Sequence, residues 1–140
     1  LPYAGGSHII VVQMSPRKAG EVRSMLMALL SSPYLHPKIG IAVDEDIDPH
    51  NAQSIMYALS TRVNPKSDVF IIPDTLCHTG DLTAELLPDT GAHMGFHPRI
   101  GSKMLIDATK GAAPTPELRA YFEPVKPMGL AGVKLEDFLG

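Results

Sequence analysis

Cysteine occurs once in the 140 residues, at Cys77, so no internal disulfide can form and a packed core must hold the fold. A lone thiol suits a reducing, cytoplasmic setting. No apolar run approaches the roughly 18 residues of a membrane-spanning helix, and no signal-peptide pattern precedes the first apolar segment. An excess of basic charge is missing too. With 12 Lys and Arg against 15 Asp and Glu, the net charge of −3 offers no electrostatic case for nucleic acid or an anionic membrane. Internal repeats and low-complexity tracts are absent. What remains, 44% hydrophobic and 19% charged residues, is ordinary for one globular domain with a real core.

Residues 8–14 (HIIVVQM) form a continuous apolar run, the pattern of a strand buried on both faces. Ser15 and Pro16 then read as an N-cap with proline at the first helical position. From there Val22, Met25, Leu26, Leu29 and Leu30 recur at helical spacing until residues 31–33 (SSP) stop the helix. Residues 38–43 read as a second strand. Asp48 and Pro49 repeat the cap-plus-proline start, with Ala52, Ile55, Met56 and Leu59 as the next apolar stripe. Met25, Met27 and Met56 lie on or beside these stripes and read as core filling. After the break at Asn64-Pro65-Lys66 comes a third strand at 69–72. Residues 74–101 read mostly as loop, with one helical turn near 82–87, and residues 103–107 (KMLID) give a fourth strand. Thr115-Pro116-Glu117 starts a short helix through Phe122.

Strands and helices alternating over short connections imply right-handed parallel crossovers. The expected fold is therefore α/β: a small three-layer, mainly parallel sheet of βαβαβ units plus a later fourth strand, Rossmann-like in topology. Residues 1–7, Pro/Gly-rich and starting without Met, are expected to be a linker from a preceding part of a longer protein. Residues 8–113 then form the domain, and 114–140 a short helix and a Pro/Gly tail.

Four acids in five positions, Asp44, Glu45, Asp46 and Asp48, close the second strand at the edge where open α/β sheets bind ligands. A dinucleotide site would need G-x-G-x-x-G after the first strand, where residues 14–20 read MSPRKAG instead. An EF-hand loop opens as Asp44, Asp46 and Asp48 do, but requires Gly where Pro49 stands and Glu where Ile55 stands. Two readings of the acids remain. They hold Mg²⁺ for phosphoryl transfer, or they are structural, with Asp48 capping the second helix and Asp46 accepting backbone hydrogen bonds or pairing with Arg62. His93-x-x-x-His97 has ligand-like spacing, with Cys77 and His78 as further donors, yet it lies in a Gly-rich loop and lacks the tight Cys/His pairs of structural zinc. Cys77 and His78 make a poor nucleophile–base pair, because sequence neighbours cannot easily aim at one another. The 77–80 loop is expected to leave the third strand on the same edge as the acids.

Residues 41–48 (IAVDEDID), 56–65 (MYALSTRVNP), 67–70 (SDVF) and 103–110 (KMLIDATK) together resemble the C-terminal domain of the UbiD-type, prenylated-flavin-dependent decarboxylases. The family pattern is a strand ending D-x-D-I-D, a helix ending W-A-x-x-T-R, a proline, an acid opening the next strand, and a later I-D-A-T. Tyr57 stands where Trp is usual. The resemblance implies reversible non-oxidative decarboxylation of an aromatic or α,β-unsaturated acid by a parent enzyme using prenylated FMN, a divalent metal and K⁺. It places the catalytic Glu-Arg-Glu set in a preceding flavin-binding domain, so no catalytic, cofactor-binding or metal residue is expected in this segment. What is expected here is part of the substrate-pocket wall and a surface for a homodimer or higher homo-oligomer. Loops 34–38 and 77–80 face the flavin in the relatives, which makes His36, Lys38 and His78 candidate substrate residues. His78, where cinnamic-acid enzymes tend to be apolar, suggests a phenol hydroxyl that imidazole hydrogen-bonds or deprotonates. Asp46, Asp48 and Arg62 are expected to be structural. The competing readings are an α/β assembly module that touches no substrate, and a Mg²⁺-dependent α/β enzyme using Asp44, Asp46 and Asp48.

Overall fold

The computed structural model of the chain describes residues 6–86, 99–111, 117, 120–123 and 138. A 3-10 turn at Gly6–His8 leads into β1 (Ile9–Gln13), α1 (Glu21–Leu30), β2 (Ile39–Val43), α2 (Ala52–Arg62), the single-turn α3 (Pro65–Asp68), β3 (Val69–Cys77), β4 (Glu85–Leu86) and β5 (Arg99–Ala108). The fold is α/β. Its sheet has five strands in the order β1-β2-β5-β3, with β4 also on β5. The last strand in sequence is thus central, which explains why Leu105 is 1% exposed.

The sheet is mixed rather than mainly parallel. β1, β2 and β5 run parallel, but β3 and β4 run antiparallel to β5. The expected parallel crossover into the third strand fails because α2 does not carry the chain to the far edge. Arg62, its last residue, is held on Asp46 just beyond β2. The chain therefore re-enters the sheet at the edge it left, with Val69 opposite Ile106, and must run the other way. β3 also continues past residue 72 to Cys77, over a bulge between Ile72 and Thr75 where Asp74 takes φ 54°.

Alternation along β2 divides the core. Ile41 and Val43 pack with Ile47, Ile55, Ala58 and Ala108 beneath α2, while Ala42 and Leu105 pack with Val22, Leu26 and Leu30 of α1. Gly40 lets α1 approach closely, since a Cβ there would sit 3.2 Å from Leu26 Cδ2. β1 is a sheet edge, so its apolar run is half-buried rather than enclosed on both sides.

Several local expectations change. α1 begins at Glu21 and not after Ser15-Pro16, because Glu21 reaches back to accept from the Arg17 and Lys18 amides, and Gly20 at φ 84° supplies the turn. Asp48 does not cap α2. It accepts from the His50 amide in a turn that contains Pro49, and Asn51 is the N-cap, accepting from Gln53 and Ser54. Met27 and Met56 are 43% and 62% exposed, since the inward stripes are Val22/Leu26/Leu30 and Ile55/Ala58/Arg62. Residues 82–86 of the expected helical turn near 82–87 are not helical: Asp81 organises them through the Thr83 amide and hydroxyl, and Glu85 and Leu86 then pair with β5, while residue 87 lies outside the described residues. His93, His97, half of the expected 115–122 helix and nearly all of the tail beyond it lie outside the described residues.

Candidate functional site

Because β3 runs backwards, the two regions singled out from sequence lie at opposite edges of the sheet, not the same one. Residues 44–48 follow the carboxyl end of β2, whereas Cys77 is opposite Arg99, at the amino end of β5. The five residues of β2 between Lys38 and Asp44 set the edges some 15–20 Å apart.

At the carboxyl edge the acids are occupied by cations. The Arg62 guanidinium, with a fully buried side chain, donates to both Asp46 carboxylate oxygens at 3.0 and 2.7 Å and lies 3.6 Å from Asp44. Lys110 Nζ is 2.8 Å from Asp46, and the Lys110 amide donates to Asp44. Burial would raise the Asp46 pKa, but hydrogen bonds from Arg62 and Lys110 overrule it and hold the carboxyl at about 2. For Asp44 burial wins: its pKa is pushed up despite the Lys110 amide and Arg62. Gln13 Nε2 pins the connecting turn by donating to the Glu45 and Ile47 carbonyls. A dication here would meet two positive side chains and, at Asp44 and Asp46, carboxylates already paired with them, an arrangement that favours the structural reading of the acids over the Mg²⁺ one. Among the described residues no group of three or more His, Cys, Asp or Glu is placed to hold a metal. The segment after β1 offers no glycine-rich phosphate cradle either. No chemical step is therefore assigned to a metal or flavin held by these residues.

The amino edge gathers His8, His36, Lys38, His78 and Asp81. The imidazoles of His36 and His78 stack with centroids 3.8 Å apart, and the Tyr34 ring lies 5.0 Å from His36. His8 Nδ1 donates to the His36 carbonyl at 2.9 Å, and the Lys38 amide donates to the His8 carbonyl at 2.8 Å, fixing the loop before β2. Lys38 Nζ donates to Asp81 Oδ1 at 3.0 Å and to the Thr83 hydroxyl. Burial opposes ionisation of Asp81, yet hydrogen bonds from Thr83 and Lys38 hold its pKa below the usual carboxylate range. His78 Nδ1 accepts from the Gly80 amide at 3.0 Å, so the neutral ring carries its proton on Nε2. Desolvation and the nearby His36 and His8 push the His78 pKa down, which favours the neutral ring. Its chemistry is then that of an N–H donor. The expectation that His78 deprotonates a phenol does not fit this tautomer; donating a hydrogen bond does.

The family model of the 3-octaprenyl-4-hydroxybenzoate carboxy-lyase C-terminal domain matches residues 1–108. The chain belongs to the UbiD family. The phenolic acid decarboxylase of Bacillus subtilis (strain 168) is 36% identical over 117 residues, covering 81% of this chain and 22% of that protein. The chain thus spans about a fifth of the length of that curated relative. Among solved structures, the UbiD-class enzyme HmfF from Pelotomaculum thermopropionicum in complex with FMN is similar at TM-score 0.67 and 25% identity, over 94% of this chain and 26% of that one. The vanillic acid decarboxylase of Sedimentibacter hydroxybenzoicus in closed form gives TM-score 0.61 and 31% identity, over 98% and 26%. His36, Lys38 and His78 are brought together in this UbiD domain, whereas Asp46 and Arg62 meet at the other edge and Asp48 stays in its turn. Sequence reasoning missed His8, Asp81 and Lys110. Lys110 follows the I-D-A-T stretch and carried a signal; His8 and Asp81 carried none until the direction of β3 was known.

Proposed function

We propose that this UbiD domain forms one wall of the substrate cleft of a non-oxidative hydroxyaryl acid decarboxylase. The preceding flavin-binding domain would supply prenylated FMN, its divalent metal and K⁺, and the Glu-Arg-Glu set. The observation that carries this reading is the convergence of His36, Lys38 and His78 at one edge, on loops joined by the His36–His78 stack. The stacked imidazoles beside Tyr34 present a flat surface of the kind an aryl ring packs against, and a ring hydroxyl at its border comes within reach of His78. The Lys38–Asp81 pair is buried on the Asp81 side, and it fixes the loop geometry instead of offering a free charge. Relatives named for phenolic and vanillic acids, both hydroxylated, support the substrate class.

The test is kinetic. In the complete protein, His78→Phe should lower kcat/KM for hydroxylated aryl acids by about tenfold or more, the value of a lost hydrogen bond in a desolvated site. Rates on an aryl acid without a hydroxyl should be little changed. Unaltered turnover of both classes removes His78 from the pocket. Exposed Ile71, Leu82 and Leu86, at 59%, 84% and 53%, favour a second, compatible role as a contact surface for the preceding domain or another copy of the chain.

A further inference from the structure

Three of the cations at the two edges have acids: Lys38 has Asp81, while Arg62 and Lys110 have Asp44, Asp46 and Glu123; Arg99 donates to the Ala84 carbonyl instead. Lys103 is different. It is 4% exposed, its Nζ donates to the Leu30 carbonyl at 2.6 Å, and none of the ion pairs among the described residues includes it. Capping the last turn of α1 explains one of its three N–H groups. Two remain, on an ammonium whose desolvation pushes its pKa down against the opposing influence of Cys77. Lys103 also lines a groove of about 290 Å³ whose other walls are largely apolar: Leu30, Pro33, Leu35 and Leu76. A buried cation without a carboxylate, set in an apolar hollow at the small end of the ligand-pocket range, is complementary to one kind of molecule.

We propose that this groove binds a small carboxylate with an apolar body about the size of one aromatic ring, the carboxylate on Lys103 and the body against Pro33, Leu35 and Leu76. The groove shares no lining residue with the His36–His78 stack, and the proposal does not depend on the reaction proposed above. Its wall is the 31–35 connection, which runs on into His36 and Lys38, so an occupant touches the segment that positions the candidate substrate residues.

The experiment is a soak of crystals of the complete protein with 4-bromobenzoate, located by bromine anomalous scattering, paired with a calorimetric titration. Bromine is expected in the groove with the carboxylate on Lys103 Nζ, and 4-bromobenzamide, which lacks the charge, should give no peak there. Lys103→Met should weaken groove binding by about tenfold or more. Because that variant also removes the cap on α1, Leu76→Trp is the second probe: it fills the groove, leaves the ammonium in place, and should equally abolish the peak. Bromine only at the His36–His78 edge, a groove peak that survives either substitution, or equal occupancy by the benzamide would each overturn the proposal.

Discussion

Arg62 holds the carboxyl edge together, because its side chain is wholly buried and its charge is met almost entirely by Asp46 and Asp44. Removing Asp46 leaves the buried guanidinium with Asp44 alone, and because the Asp46 side chain is itself 39% exposed, Asp46→Asn is expected to cost about 1–2 kcal/mol in chemical denaturation of the chain. The pH dependence has a definite sign. The folded Asp46 pKa of about 2 lies below its ordinary value of 3.8, so its contribution is fully present above pH 4 and disappears as pH falls toward 2. Asp44 runs the other way, since its raised pKa means that ionisation opposes folding and acid relieves it. The stability gap between wild type and Asp46→Asn should accordingly be constant above pH 4 and close between pH 4 and 2; a gap independent of pH would contradict the pairing. The Asp46–Arg62 pair spans a single helix, so sequence spacing could suggest it. Lys110 arrives from the end of β5: the I-D-A-T stretch marks its place in the sequence, and the topology supplies its partner.

Capping shows what an element's sequence does and does not disclose. Two cap-plus-proline motifs, Ser15-Pro16 and Asp48-Pro49, mark the approach to each helix, but the helices start later because each proline sits in a preceding connection. The competing signals were Glu21 reaching back at α1 and Asn51 at α2, both local and both weaker on the page than a proline. Asn51→Ala should therefore cost about 1 kcal/mol, and Asp48→Ala roughly half that or less, since it loses one exposed turn bond. Equal or reversed losses in denaturant melts would mean that Asp48 is the working cap. The apolar stripe of α1 was readable at Val22, Leu26 and Leu30, whose spacing follows one helical face. On α2 Ile55 and Leu59 meet the core as their spacing suggests and Met56 does not, while the buried Arg62 extends the stripe by one turn, and a buried arginine has no hydrophobic signature.

At the scale of the molecule, strand existence was legible and strand direction was not. Residues 69–72 announce a strand by composition, but whether it runs with or against β5 depends on where α2 delivers the chain, and α2 is placed by its core contacts and by the Arg62–Asp46 pair. The consequence is functional: reversing β3 moves Cys77 and His78 from the acids to the opposite edge and stacks His78 on His36. The family likeness was carried by short motifs that survive such a reversal, which is why the UbiD domain could be identified while its edges were paired wrongly. The central claim is that substrate meets the His36–His78 edge and the acid–Arg62 cluster is structural. The direct measurement is a crystal structure of the complete protein with 4-hydroxybenzoate bound. The account expects the ring hydroxyl within hydrogen-bonding distance of His78; a ring bound against Asp44 and Asp46 instead would contradict it.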